Sequence, residues 1–149
     1  MNRFLKIFLI LNLILSSSVT AKDRITDLLL KYKSANEIEK INISLELANL
    51  NAETNPKLAI KFSIEACNLS IKFNDYYSKA MAYTLIGEGY RDLGDNDSAM
   101  LNFQRAYQVF NDIKYYSGIQ RNLNNIGIMY RYQGDYKTAL EYHLKAYEI

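Results

Sequence analysis

The chain is poor both in residues that interrupt helices and in residues that carry chemistry. It has one proline and six glycines in 149 positions, so tight hairpins, which need residues tolerant of positive φ, have few places to form. A single cysteine excludes any internal disulfide, even in an oxidising compartment. Cys67 lies beside Ala66 in "SIEACNLSIKF", on a helical pattern. It reads as a packing thiol rather than a nucleophile, with an intermolecular disulfide left open. The only histidine, His143, falls on an apolar helical stripe and reads as a packing residue rather than a base or ligand. No Cys and His spacing fits a metal site. Gly87-Glu88-Gly89 lies inside a helix pattern with no strand before it, so it is not a phosphate loop. Catalysis needs a located constellation of groups, and none is legible. The expectation is a protein that is not an enzyme and carries no cofactor or metal.

What is present is apolar surface, 49% of the residues, enough for one domain with a sizeable core. At the start, Arg3 and Lys6 precede the apolar run "IFLILNLIL" (7–15), and "SSSVTA" ends in the small residues Val19, Thr20 and Ala21. That order is a secretory signal over residues 1–21, with cleavage expected after Ala21. The run is too short for roughly 30 Å of hydrocarbon and Asn12 interrupts it, so no stable membrane span is expected once the signal is gone. Lys22 follows in place of the cysteine that a lipid anchor would need. The whole chain carries 18 Lys and Arg against 16 Asp and Glu. Without Arg3 and Lys6 it is neutral, with no general attraction for phosphate backbones, and nucleic acid is not an expected partner. The expected location is periplasmic or extracellular.

The strongest feature is self-similarity at a spacing of 40 residues. "GDNDSAMLNFQRAY" from Gly94 and "GDYKTALEYHLKAY" from Gly134 share Gly-Asp and two alanines in register. Ala59, Ala99 and Ala139 keep the spacing, as do Ala66, Ala106 and Ala146, and Gly87 pairs with Gly127 and Tyr90 with Tyr130. Three copies follow, about 40–79, 80–119 and 120–149, the last incomplete, with a helical segment at 22–39 before them. Each copy holds two stripes of helical periodicity, such as Met81, Tyr83, Ile86, Tyr90 and Leu93, then Ala99, Phe103, Ala106, Val109 and Phe110. In the third copy the second stripe is Ala139, Leu140, His143 and Ala146. Gly94 and Gly134 suit the left-handed end of a helix, and Asp95 or Asn96 can cap the next. In the first copy Asn55 and Pro56 replace that break, with Pro suited to a first helical turn. Mid-helix Gly87 and Gly127 each cost about 1 kcal/mol relative to alanine, which close approach of a neighbouring helix would offset. Helices this short are marginal alone and must pack as stacked antiparallel pairs.

Gly87, Tyr90, Ala99, Phe103 and Ala106, and again Gly127, Tyr130, Ala139 and Ala146, resemble the signature of tetratricopeptide repeats in their longer, 40-residue form. The resemblance covers about Lys40 to Ile149. It is weaker in the first copy, where Leu47, Leu50 and Ser63 depart from the pattern, and His143 stands where an aromatic is usual. The wider layout resembles the periplasmic repeat domains of bacterial sensor kinases and related regulators. The resemblance implies an all-α fold, a right-handed α-solenoid of antiparallel helix pairs, whose inner wall is formed by the first helix of each pair. It places Met81, Thr84, Glu88, Arg91 and Asp92 on that wall in the second copy, and Arg121, Asn124, Ile128, Arg131 and Tyr132 in the third. Such a wall suits an extended peptide or a partner helix, with Arg131 and Tyr132 as anchors. The expected function is an exported scaffold for protein or peptide binding, within a larger signalling protein, the alternative being a structural spacer or oligomerisation segment. The last helix, ending "HLKAYEI", has no polar capping helix after it, and self-association through that face is a further expectation.

Overall fold

Every 20 residues from Asn74 onward, one residue turns left-handed: Asn74 (φ 56), Gly94 (φ 80), Lys114 (φ 54) and Gly134 (φ 81). Each ends a helix in the same way. After Gly94, the Asp95 amide donates to the Tyr90 carbonyl at 2.9 Å and the Gly94 amide to Arg91 at 2.9 Å, the paired bonds that satisfy a helix's last carbonyls. The same pairs run from Asp75 to Ser70, Tyr115 to Phe110 and Asp135 to Tyr130. The next residue caps the following helix: Asp75, Asp95 and Asp135 accept from the amides of Ser78, Ser98 and Thr138. Tyr115 breaks this rule and makes no side-chain cap bond.

These punctuation marks divide a computed structural model that describes residues 20–149. The expected signal segment lies outside the described residues, except for Thr20 and Ala21. Seven helices follow: α1 Ala21–Ser34, α2 Glu37–Asn51, α3 Pro56–Lys72, α4 Tyr76–Asp92, α5 Asn96–Asp112, α6 Tyr116–Tyr132 and α7 Tyr136–Tyr147. Among the described residues there is no strand, and the chain is an all-α stack of helices, each packed on its neighbour in sequence. Thr20 and Asp23 form a reciprocal cap on α1, and Asn36 and Glu39 form another on α2. Asn55 caps α3, with Pro56 in its first turn as the sequence implies. The helix pairs α2–α3, α4–α5 and α6–α7 begin at Glu37, Tyr76 and Tyr116, about four residues before the copies read from the alanine spacing. Among the described residues no helix is long and apolar enough to cross a membrane.

Packing assigns the helices to two layers. The first helices touch one another, α2 with α4 and α4 with α6, whereas α5 and α7 pack only on first helices and α3 packs on α2 and α4, with Tyr32 of α1 reaching its Phe62 and Glu65. The first helices therefore form one wall, and furrows separate the second helices on the other side. The repeated alanines sit at these contacts, with Ala66, Ala99 and Ala106 fully buried. Gly118 lets Phe110 lie across α6, since a Cβ there would come within 2.6 Å of the ring. Forty residues earlier the pair is Ser78 and Ser70, small on small, and the buried Ser70 hydroxyl has no partner. Ser44 is the other buried hydroxyl in that condition. Both belong to the first pair, where the repeat pattern is weakest.

Two residues assigned to core stripes are exposed. Leu93 is the cap residue at the end of α4 and lies beyond its packed face. Leu140 is 59% exposed, on the side of α7 that no described helix covers, together with Leu144 and Tyr147.

Candidate functional site

In the part of the wall formed by α4 and α6, a ladder of polar contacts joins the two helices. Asn122 Nδ2 donates to Thr84 Oγ1 at 3.0 Å and to the Gly118 carbonyl at 2.9 Å, and the Thr84 hydroxyl donates to the Ala80 carbonyl. Both side chains are fully buried. This corrects the expectation for Thr84: it does not face a ligand, because its hydroxyl fastens α4 to α6. One turn further on, Arg121 grips Glu88 with three contacts of 2.8, 3.0 and 3.2 Å. Asn125 reaches the same carboxylate at 3.5 Å. Glu88 and Arg121 stay on the surface of the wall, but each is the other's partner. Arg91 pairs with its neighbour Asp92 at 3.0 Å.

Two groups of expected wall residues come together around this ladder. At one end, Met81 and Arg121 line a cavity of about 270 Å³ with Tyr77, Tyr115 and Ser117, floored by Phe110 and Gly118. Tyr77 and Tyr115 meet edge to face at 5.0 Å. The Tyr115 hydroxyl, then burial, holds the Tyr77 hydroxyl above the usual tyrosine range, while Ser117 and then Tyr77 draw Tyr115 below it. Met81 also packs against the core beside Ala80 and Phe110, so only part of it faces the cavity. At the other end Arg131 lies over the Tyr132 ring at 5.7 Å, and Tyr132 is 54% exposed. Arg131 has no ion pair among the described residues.

Asn124 and Ile128 have duties elsewhere. The Asn124 amide oxygen lies 3.0 Å from His143 Nδ1, and Ile128 packs beside Ile126 and Met129. His143 in turn fills the space left by Gly127, its Cε1 being 2.9 Å from where a Cβ would stand. Sequence reasoning missed Tyr77 and Tyr115, which lie at a helix start and in a turn, outside the stripe positions. The doublets Tyr76-Tyr77 and Tyr115-Tyr116, at the starts of successive first helices, are the signal that points to them.

Among the described residues no three of His, Cys, Asp and Glu are placed to hold a metal ion. The site offers aromatic faces, a guanidinium with no ion pair among the described residues and a balanced ion pair, groups of the kind enriched where proteins meet polypeptides.

Residues 123–149 match the tetratricopeptide repeat family model, and no curated protein matches the chain. With seven helices in repeat order, that match supports a repeat protein of the tetratricopeptide type and a scaffold for protein–protein interaction.

Proposed function

We propose that the α4–α6 wall binds a segment of another protein, with two anchor points on either side of the Glu88–Arg121 pair. The observation that carries this reading is the division of polar labour along the wall. Thr84, Asn122, Glu88 and Arg121 satisfy one another and make a rigid floor, while Tyr77, Arg131 and Tyr132 present aromatic and cationic surface outward. A rigid wall limits the ordering cost of binding, and Tyr and Arg are the residues most enriched among binding hot spots. The cavity beside Met81 accepts one apolar side chain of the partner; Arg131 with Tyr132 accepts an acidic or aromatic one.

The same reading places the chain outside the cytoplasm, on the basic-apolar-small order of residues 1–21, as the sensing segment of a larger signalling protein. Amino-terminal sequencing of the exported chain, with Lys22 expected first, tests the location.

The binding reading is tested by selecting a displayed peptide library on the wild-type chain. Retained peptides are then titrated against Tyr77→Ala and against the Arg131→Ala, Tyr132→Ala double variant. Affinity should fall at least tenfold in each, with the melting temperature of the double variant unchanged. Equal affinity for all three proteins would reject the wall as the binding surface and favour a spacer.

A further inference from the structure

The opposite side of the molecule carries a second concavity, unrelated to the wall. Between α3 and α5, floored by α4, lies an open cleft of about 310 Å³. Ile64 and Ile71 form one bank and Asn102 and Arg105 the other, over a floor of Tyr83 and Cys67. That volume sits at the small end of the range for ligand pockets, roughly 300–1,000 Å³, and is too small for a helix.

The cleft exists because two side chains are small here that are large in the next repeat. Cys67 and Asn102 correspond, at the 40-residue spacing, to Tyr107 and Tyr142. Those tyrosines pack, partly buried, against α5, α6 and α7, with Tyr142 stacked on Tyr130 at 5.3 Å. The open volume there is pushed out toward Tyr116 and Ile149. In the first furrow the open volume lies over the middle, beside Cys67 and Asn102.

Its electrostatics are one-sided. The Arg105 guanidinium lies 5.8 Å and the Lys79 ammonium 6.0 Å from the Tyr83 ring centre. Neither cation forms an ion pair among the described residues. Burial raises the Cys67 thiol above its usual range, and Tyr83 with the fields of Lys79 and Arg105 pulls it back. The thiol itself is buried and lines the floor. Two uncompensated cations over an aliphatic bank complement a ligand with an apolar body and a negative head.

We propose that this cleft binds a small aliphatic carboxylate, its chain along Ile64 and Ile71 and its carboxylate at Arg105 and Lys79. A free short-chain acid and the carboxyl end of a polypeptide with an aliphatic last residue share this chemistry. The pairing is independent of the α4–α6 wall.

The test is a titration of the whole chain with hexanoate, 1-hexanol and hexylamine, followed by amide chemical shifts. Hexanoate should move the resonances of 64–71 and 83–90 and bind at least tenfold tighter than hexanol, with hexylamine weaker still. The Lys79→Gln, Arg105→Gln pair changes the two cations beside the Tyr83 ring. It should leave the melting temperature intact and weaken hexanoate at least tenfold. Asn102→Tyr, which copies the next repeat, should close the cleft and abolish the shifts. Acetyl-glycyl-leucine against its amide separates the two sources: tighter binding than hexanoate, lost in the amide, assigns a polypeptide end, and weaker binding assigns the free acid. Affinities of the three head groups within threefold of each other would overturn the proposal. So would hexanoate binding undiminished in the double Gln variant, or no shift at about 50 mM, a weak limit for so few ligand atoms.

Discussion

A Cβ built on Gly87 would lie 2.6 Å from Cε1 of Phe103, a ring with no exposed surface. The glycine and the phenylalanine are one packing unit joining α4 to α5. Alanine at 87 gains about 1 kcal/mol of helix propensity, but the buried ring has to shift, and overpacking costs about 1–3 kcal/mol. Gly87→Ala should therefore lower unfolding stability by up to about 2 kcal/mol in urea titration. Adding Phe103→Leu to Gly87→Ala should cost less than the sum of the two single changes, because the contacts are shared.

The polar ladder should reveal a ranking by burial. Thr84→Val keeps the shape and removes an acceptor of the Asn122 amide in a fully buried site. A loss of about 1–2 kcal/mol is expected. Glu88→Gln breaks a better-formed contact, but the Arg121 side chain is 44% exposed and can turn to solvent. Its loss should stay under about 1 kcal/mol. Melting curves of the two variants check the order; the reverse order would mean that the ion pair, not the buried amide, holds the wall together.

At the helix ends, Lys114 has the same left-handed backbone as Gly94 and Gly134 while carrying a side chain. Lys114→Gly should stabilise the chain by up to about 1 kcal/mol, the left-handed penalty less the added freedom of the unfolded state. Gly94→Ala should destabilise by about 1 kcal/mol for the converse reason. Opposite signs for two neighbouring turns, read from denaturant midpoints, form the test.

Acid should loosen the caps. The Ser98 side-chain and backbone contacts hold Asp95 below the usual carboxylate range, and the Thr138 amide and then its hydroxyl do the same for Asp135. A depressed folded value means the unfolded chain takes up protons first. The stabilisation is whole above about pH 4, the unfolded value, and is lost as pH falls through the lower folded values. Asp95→Asn with Asp135→Asn should flatten the fall in melting temperature below about pH 4 relative to wild type. An unchanged slope would show that other carboxylates govern acid unfolding.

Much of the fold was legible because its punctuation is local. Asn55-Pro56, Gly94-Asp95 and Gly134-Asp135 end one helix and begin the next through bonds spanning three to five residues, and a short window contains them. The turns at Asn74 and Lys114 have the same geometry without glycine and escaped notice, since any residue can be held there once the flanking helices pack. The wall was less legible. Its ten expected residues were implied by the family resemblance, which says only which side of a helix faces inward. Facing does not distinguish Thr84, sealed against Asn122, from Tyr132, which is open to solvent.

The sequence by itself determined an all-helical chain, the length of its repeating unit and the alanine and glycine positions at which helices meet. These follow from φ preferences, caps and a 3.6-residue period, all of them short-range. Only the tertiary structure decided which polar groups use each other up and which stay free. Thr84 meets Asn122 across 38 residues and Glu88 meets Arg121 across 33, at separations that depend on how closely α4 and α6 approach. It also decided that Cys67 and Asn102 open a cleft over the middle of one furrow, where Tyr107 and Tyr142 fill the equivalent place one repeat later. Hydrogen-bond capacity and void volume are properties of pairs of surfaces, and a single strand of letters carries only one surface at a time.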